Sequence, residues 1–284
     1  MIKLIECPRD AMQGLKTFIP TETKAKYLNL LLQVGFDTLD FGSFVSPKAI
    51  PQLRDTAEVL AQLDLSNTNT KLLAIVANYR GAEAAAAFPE IRYLGFPFSI
   101  SETFQLRNTN ATIADSLDRV KRIQDLCQRT NKEMVLYLSM GFGNPYGDPW
   151  NTETVMHWVE QLAQIDIRIF QLSDTIGVAQ PPSIEYLFSE LIPAYPELEI
   201  GAHFHTTPQT WEEKVATAAL HGCTRFDGAI RGYGGCPMAK DDLTGNMPME
   251  HLVHFFQEQG NDTGVDQKIF QEAYLEAARV FPTH

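Results

Sequence analysis

Eight short apolar runs alternate along this chain with longer amphipathic segments, and this alternation limits the available folds more than any other feature. Runs of this length predict buried strands, and the segments between them predict helices. Eight strands, each followed by a helix, favour a closed (β/α)8 TIM barrel over an open sheet, which more often has five or six strands. The runs are IKLIE, FDTLDFG, KLLAIVA, IRYLGFPF, EMVLYLSM, IRIFQLSD, LEIGAHFH and TRFDGAI.

The helical segments carry boundary signals of their own. In TETKAKYLNLLLQVG, Thr21 follows Pro20 at the start and Gly35 closes the pattern. The segment NDTGVDQKIFQEAYLEAARVF predicts an extra C-terminal helix outside the eight repeats. Because no linker, charge run or low-complexity segment divides the chain, we predict a single catalytic domain over residues 1–284.

Charge and cysteine content restrict the partners and the compartment. A formal net charge of -12 argues against nonspecific nucleic-acid binding, which needs basic stripes. No apolar run is long enough to span a bilayer, and the start MIKLIECPRD, which reads as a strand followed by a turn, lacks signal-peptide features. The 4 cysteines are widely spread without a CxxC pair, which is typical of reduced thiols. We therefore expect a cytoplasmic protein with no nucleic-acid or membrane partner.

Polar residues at the strand ends are the candidates for chemistry, because TIM-barrel active sites lie at the C-terminal ends of the strands. His203 and His205 occupy alternate positions of one strand, so both side chains point to the same face. This pair fits either a metal site or two hydrogen-bonded histidines. The full set of polar strand-end residues is Arg9, Asp10, Asp40, Ser43, Asn78, Ser139, Asp174, His203 and His205.

Asp10 would add a carboxylate to the two imidazoles, and Asn246 would add a carbonyl oxygen. Two neutral nitrogens with hard oxygens suit an octahedral divalent ion such as Mg²⁺ or Mn²⁺ better than a structural zinc. Arg9 has the planar fork that suits an oxyanion or carboxylate, and a salt bridge at the barrel rim is its alternative role.

The stretch RGYGGCPMAKDDLTGN is rich in glycine, which allows a loop to bend and to approach a ligand closely. Cys236 lies in this stretch, and a free thiol is mostly protonated at neutral pH and can donate a proton. On a mobile lid it would reach a reacting carbon only in a closed site. The alternative is a small apolar residue in a tight turn.

Six blocks of the sequence resemble the 3-hydroxy-3-methylglutaryl-CoA lyases. They are CPRDAMQG, SFVSPKAIPQ, SETFQLRNTN, SDTIGVAQP, HFH and GYGGCP…TGN, and they run in order over nearly the whole chain. SFVSPK and GGCP are typical of the lyase branch of the metal-dependent TIM-barrel lyases and Claisen synthases. The resemblance implies metal-assisted cleavage of an acyl-CoA, 3-hydroxy-3-methylglutaryl-CoA, to acetyl-CoA and acetoacetate.

The resemblance also implies roles for individual residues. Arg9 would stabilise the enolate oxygen, Cys236 would protonate the enolate, and His203 would help to move the hydroxyl proton. Asp174 would support the metal site, and Asp40 would orient a neighbouring group or the substrate. Asp10, His203, His205 and Asn246 would hold Mg²⁺ or Mn²⁺. The expected substrate-pocket residues are Gln13, Ser43 and Asn108, and Lys48 is a candidate for a CoA phosphate or else a solvated lysine.

The chain departs from the lyase pattern near these residues. Asp40 stands where the lyases have Glu, HFHTT lacks the Asp after the second histidine, and GFGNPYGD replaces a stretch with a second Cys. We expect the shorter Asp40 side chain to leave a gap that affects the acyl group more than the reaction type. The alternatives are a lyase for another 3-hydroxy-3-alkylglutaryl-CoA, a Claisen-type synthase, and a non-catalytic CoA-ester binding barrel. A homodimer is the candidate assembly.

Overall fold

The computed structural model describes residues 1–235 and 244–281, and over these ranges it has nine strands and eleven α-helices. The strands are β1 (Lys3–Glu6), β2 (Thr38–Ser43), β3 (Lys71–Ile75), β4 (Ile91–Ser99), β5 (Glu133–Ser139), β6 (Ile169–Asp174), β7 (Glu199–Thr206), β8 (Arg225–Gly228) and β9 (Gly245–Asn246). The helices are α1 (Pro8–Gln13), α2 (Thr21–Val34), α3 (Thr56–Leu60), α4 (Tyr79–Ala86), α5 (Glu102–Thr109), α6 (Ile113–Thr130), α7 (Thr152–Ala163), α8 (Pro181–Ala194), α9 (Trp211–Leu220), α10 (Met249–Glu258) and α11 (Gln267–Val280).

Strands β1 to β8 form a closed parallel barrel. Each pairs with the next in sequence, and the pairing of β8 with β1 completes the ring. This confirms the predicted (β/α)8 fold, and all eight apolar runs correspond to its strands. The short strand β9 adds to the rim by pairing antiparallel with β7, which places Asn246 opposite His205.

The barrel interior has an apolar side and a polar side. The apolar side is formed by Leu73, Ile75, Tyr93, Val135, Tyr137 and Ile169, which pack as a cluster separate from the main core. The polar side lies on β6, β7 and β8, where Gln171, His203 and Asp227 are joined by hydrogen bonds. Because strand side chains alternate, the intervening residues point outward and pack under the helices. The interior is therefore asymmetric, with its charged groups gathered below one part of the mouth.

The helix boundaries follow local signals in the sequence. Helix α2 ends at Gly35, whose φ of 95° is the left-handed conformation that favours glycine. The predicted extra C-terminal helix is α11, which packs against α2 and places Phe270 6.3 Å from Phe36, just after α2 ends. In the part of the chain that the structure describes, no helix is long and apolar enough to cross a membrane.

The segment after β1 differs from the expected turn. Residues Pro8–Gln13 form helix α1, and Pro8 is its first residue. Proline is favoured there because its fixed φ suits a helix and its missing N–H has no intrahelical partner anyway. The helix is only 6 residues long, too short for hydrophobic periodicity to reveal it. It presents Arg9, Asp10 and Gln13 at the mouth of the barrel.

Candidate active site

A cavity of about 420 Å³ opens at the C-terminal ends of the strands. Its described lining includes six of the predicted site residues, which are Arg9, Asp10, Gln13, Asn108, His203 and His205. Val45, Ile50 and Phe104 line an apolar part of the same cavity, and Tyr137 and Ser139 lie on its inner wall. The cavity thus joins a charged cluster to an apolar surface.

The two histidines of β7 lie on one face, and each has its Nδ1 held by an acceptor. His203 Nδ1 lies 2.9 Å from Asp227 Oδ2, and His205 Nδ1 lies 2.8 Å from the carbonyl oxygen of Thr175. Because a carbonyl or a carboxylate accepts a hydrogen bond, both Nδ1 atoms act as donors. Each ring therefore has its Nε2 lone pair available for a ligand.

Asp10, His203 and His205 form a candidate metal site. One ligand atom from each lies within 4.8 Å of the others. His205 Nε2 is buried and has no hydrogen-bond partner among the described residues, a costly arrangement unless something binds it. A carboxylate and two imidazoles with free Nε2 atoms fit a divalent ion. The Asn246 side-chain amide donates to the Tyr233 carbonyl at 2.8 Å and also hydrogen-bonds Asp10, so it lies beside the candidate metal site.

The charge states at this site also suit a cation. Burial alone would raise the pKa of the Asp10 carboxyl, but Arg9 and the two histidines outweigh burial and hold it below its ordinary value. Burial and the neighbouring His203 lower the pKa of His205, which keeps this ring neutral. Burial alone would lower the pKa of His203, but Asp227 and Asp10 outweigh burial and raise it, so a bound cation must displace a proton from this ring.

Arg9 ties α1 to β2. Its Nε and Nη2 donate to Asp40 Oδ2 at 2.9 and 2.5 Å, and its Nη1 donates to Asp10 Oδ1 and to Gln13 Oε1, both at 3.0 Å. Arg9 therefore makes the salt bridges that were its alternative role, while its side chain also lines the cavity. Burial raises the pKa of Asp40 to about 6 although Arg9 opposes this shift.

The shorter Asp40 side chain still reaches Arg9 through its Oδ2, while its Oδ1 is buried without a hydrogen-bond partner among the described residues. The Asp40 carboxylate is fully buried, already reaches Arg9 through two hydrogen bonds, and is absent from the described cavity lining. Among the described lining residues, Arg9 is the one to which Asp40 is hydrogen-bonded. The effect of the shorter side chain on the acyl group stays a prediction.

Asp174 lies outside the cavity, which corrects its expected place at the mouth. It is the last residue of β6 and its side chain turns toward α9, where Lys214 Nζ donates to Asp174 Oδ2 at 2.7 Å. Lys214 also donates to the carbonyl oxygens of Gly177 and His205 at 3.1 and 3.0 Å. Asp174 therefore supports the backbone of a candidate metal ligand through Lys214.

We expect Lys214→Met to destabilise the protein by about 3–5 kcal/mol, because it leaves the Asp174 carboxylate buried without its cation. Urea unfolding followed by circular dichroism measures this change. The exposed Lys121, which pairs with Asp118 at 3.7 Å, provides the matched control Lys121→Met, with an expected loss below about 1 kcal/mol. A Lys214→Met variant as stable as the control would contradict this interpretation of the pair.

The remaining predicted residues lie in different places. Ser43 is buried, donates its hydroxyl to the Ile75 carbonyl at 3.2 Å and is absent from the described cavity lining, so its substrate-pocket role stays a prediction. Lys48 is exposed next to Ala49, which lines the rim of the cavity. Asn108 is exposed at the same rim. Cys236 lies outside the described residues.

Sequence reasoning missed three residues that hold the site in place, Asp227, Gln171 and Lys214. Asp227 in TRFDGAI and Gln171 in IRIFQLSD are polar residues inside apolar strands, at positions where alternation points the side chain into the barrel. That signal could have identified both. Lys214 lies in an ordinary amphipathic helix pattern, so its burial could not be read from the sequence.

Comparisons with known proteins agree with this geometry. The HMGL-like family model matches residues 2–274. Hydroxymethylglutaryl-CoA lyase YngG of Bacillus subtilis is 35% identical over 258 residues, which cover 91% of this chain and 85% of that protein. The 3-hydroxy-3-isohexenylglutaryl-CoA/hydroxy-methylglutaryl-CoA lyase of Pseudomonas aeruginosa is 30% identical, covering 96% of this chain and 90% of that protein. An Acinetobacter baumannii HMG-CoA lyase, solved with coenzyme A and 3-methylmalate, superposes with a TM-score of 0.91 at 30% identity, covering 99% of this chain and 92% of that chain.

Proposed function

Because the chain belongs to the HMGL-like family, we propose that it is a carbon–carbon lyase that cleaves 3-hydroxy-3-methylglutaryl-CoA to acetyl-CoA and acetoacetate. The observation that carries this proposal is the convergence of Asp10, His203 and His205 beside Arg9 in one cavity at the barrel mouth. The lyase names of the relatives favour cleavage over the joining reaction of a Claisen-type synthase. A barrel that only binds CoA esters would have no need to bury an unpartnered His205 Nε2 beside this charged cluster.

We propose that Asp10, His203 and His205 hold Mg²⁺ or Mn²⁺ and that Asn246 contributes its side-chain oxygen. When bound, the ion would supply Lewis acidity to the hydroxyl and carboxylate oxygens of the substrate. His203 has only its Nε2 free, since Asp227 holds Nδ1. We assign His203 to metal binding through this atom, and its help in moving the hydroxyl proton stays a prediction from the resemblance.

The chain's own residues would handle the charge that develops on cleavage. The bond between C2 and C3 breaks, the hydroxyl loses its proton, and the thioester fragment leaves as an enolate. Asp10 is the one carboxylate among the described lining residues, and its lowered pKa suits it to hold the ion rather than to accept the hydroxyl proton. Arg9 is the proposed partner of the enolate oxygen, because it is the one fixed cation in that lining. The resemblance assigns the final proton donation to Cys236.

A coenzyme A thioester is the proposed partner. The exposed Lys48 is placed to meet a CoA phosphate at the rim, a local exception to the acidic surface. The cytoplasmic location, the homodimer and the single domain over residues 1–284 stay predictions from the sequence.

Product analysis with Mg²⁺ tests the proposed function. Release of acetoacetate and acetyl-CoA from the methylglutaryl ester would support the lyase. Binding of the ester without turnover would identify a binding barrel. Formation of a longer acyl-CoA from acetyl-CoA and a keto acid, without cleavage, would identify a synthase.

A larger 3-alkyl group is the second candidate for the substrate. It is favoured by the apolar part of the cavity at Val45, Ile50 and Phe104 and by the isohexenyl substrate in the name of the Pseudomonas aeruginosa relative. This candidate rests on those lining residues and not on Asp40, which is absent from the described cavity lining.

We expect Asp40→Glu to leave acyl preference unchanged, because Asp40 is absent from the described lining of the cavity. The measurement is the ratio of kcat/KM for the methyl ester to kcat/KM for a longer 3-alkyl ester. Ile50→Ala is the comparison variant, and we expect it to shift the ratio by about tenfold toward the longer ester, since it enlarges the apolar wall. A changed ratio in Asp40→Glu would show that Asp40 shapes the acyl pocket after all.

A further inference from the structure

We infer that Asp227 is a positioning residue that presents His203 Nε2 to the metal site, an inference that rests on the proposed function. Asp227 Oδ2 lies 2.9 Å from His203 Nδ1, and the Asp227 side chain is 1% exposed. A carboxylate accepts the Nδ1–H bond and thereby fixes both the tautomer and the angle of the ring. Asp227 is itself neither one of the described lining residues nor one of the candidate ligands, and its contact with the site is the hydrogen bond to His203.

Asp227 is itself held in place from β6. Gln171, which is fully buried, donates its side-chain N–H to Asp227 Oδ1. Both carboxylate oxygens of Asp227 are thus engaged, one by Gln171 and one by His203. The carboxylate therefore cannot rotate without breaking one of the two bonds, so the ring of His203 has one preferred orientation.

Gly201 on β7 makes room for this arrangement. A Cβ atom at position 201 would lie 1.8 Å from Gln171 Oε1, closer than any real contact. Because residue 201 has no side chain, Gln171 can extend from β6 over β7 and reach Asp227 on β8. Three neighbouring strands contribute to one chain of contacts that ends at a candidate metal ligand.

The two histidines are oriented by different kinds of acceptor. His205 uses the backbone carbonyl of Thr175, which a substitution does not remove. His203 uses a side chain, so its support can be removed selectively. An Asn at position 227 has nearly the same shape but carries an N–H₂ group, which can turn toward Nδ1 and favour the tautomer that has its hydrogen on Nε2.

The test is the affinity of the metal-free full-length protein for Mn²⁺ alone, measured by electron paramagnetic resonance or calorimetry without substrate. We expect Asp227→Asn to raise the Kd by about 10–100-fold, the usual effect of losing such a supporting carboxylate. Glu6→Gln is the matched control. It also replaces a buried carboxyl group with an amide, but Glu6 accepts the Ile230 N–H and is not one of the candidate ligands, so the Kd of this variant should equal that of the wild type.

A second measurement needs only the wild-type protein. With ¹⁵N-labelled histidine, and at a pH at which the ring has lost its second proton, the metal-free protein should show His203 with its hydrogen on Nδ1. Equal Mn²⁺ affinity in wild type and a folded Asp227→Asn, or a wild-type His203 with its hydrogen on Nε2, would overturn the inference and leave the proposed lyase function standing. Absence of Mn²⁺ binding by the wild type would overturn both the inference and the proposed metal site. If Asp227→Asn does not fold, the position of the hydrogen on wild-type His203 is the measurement that tests the inference.

Discussion

Removal of divalent ions is expected to abolish turnover of 3-hydroxy-3-methylglutaryl-CoA, and His205→Ala is expected to prevent its recovery when Mg²⁺ or Mn²⁺ is returned. His205 Nε2 is buried without a partner among the described residues, while its Nδ1 is fixed by Thr175. Loss of a direct ligand should cost at least the 10–100-fold in metal affinity that loss of a supporting group costs. Chelation, metal titration and Mn²⁺ binding by the variant measure these effects.

The matched control for this experiment is His254→Ala. His254 is an exposed histidine of α10 that pairs with Glu258 at 3.2 Å. It is not one of the described residues that line the cavity. It should bind metal and turn over substrate like the wild type. Full activity of thoroughly chelated wild-type protein, or unchanged Mn²⁺ affinity of His205→Ala, would contradict the metal site.

Arg9→Lys and Arg9→Met are expected to lower kcat by about 10²–10³-fold, the usual cost of losing one oxyanion-stabilising donor. Lysine keeps the charge but lacks the fork, and Arg9 uses its fork to contact Asp10, Gln13 and Asp40 at once. Since a single ammonium cannot reproduce these contacts, the lysine variant should recover little of the lost rate. Steady-state kinetics at saturating Mg²⁺ provide the measurement.

The control for the arginine variants is Arg168→Met, because Arg168 is half exposed and pairs with Asp166 just before β6 begins, at the end of the barrel opposite the cavity. Its kcat should equal that of the wild type. Mn²⁺ affinity and unfolding midpoints of the Arg9 variants show whether the fold and the metal site persist. An Arg9→Met protein that keeps a tenth or more of wild-type kcat while folded and metal-loaded would exclude Arg9 as the enolate partner.

The barrel could be predicted because its signals are local. Each strand is a short apolar run, each main helix has its own periodicity, and Gly35 marks the end of α2 where a left-handed residue is needed. The placement of His203 and His205 on one face also follows from the period of a strand alone. Closure of the ring then brings Asp10 of α1 to the same mouth, since β1 pairs with β8, the neighbour of β7.

Contacts that depend on tertiary neighbours could not be predicted in the same way. Asp174 and Ser43 lie at strand ends, like the residues that do line the cavity, yet Lys214 draws Asp174 toward α9 and Ser43 bonds to the Ile75 carbonyl. The contact between Asp40 and Arg9 depends on the position of Arg9 on α1, a helix too short to show periodicity. These outcomes depend on which partner lies within reach, and only the folded structure supplies that information.

Cleavage of the methylglutaryl ester in D₂O tests the central claim most directly. We expect acetoacetate and acetyl-CoA in equal amounts. Each acetyl-CoA should carry one solvent deuterium in its acetyl group, because the departing enolate takes its proton from a group that exchanges with solvent. The metal-free protein should form neither product. Intact ester after incubation of the metal-loaded protein, or free CoA without acetoacetate, would contradict the account.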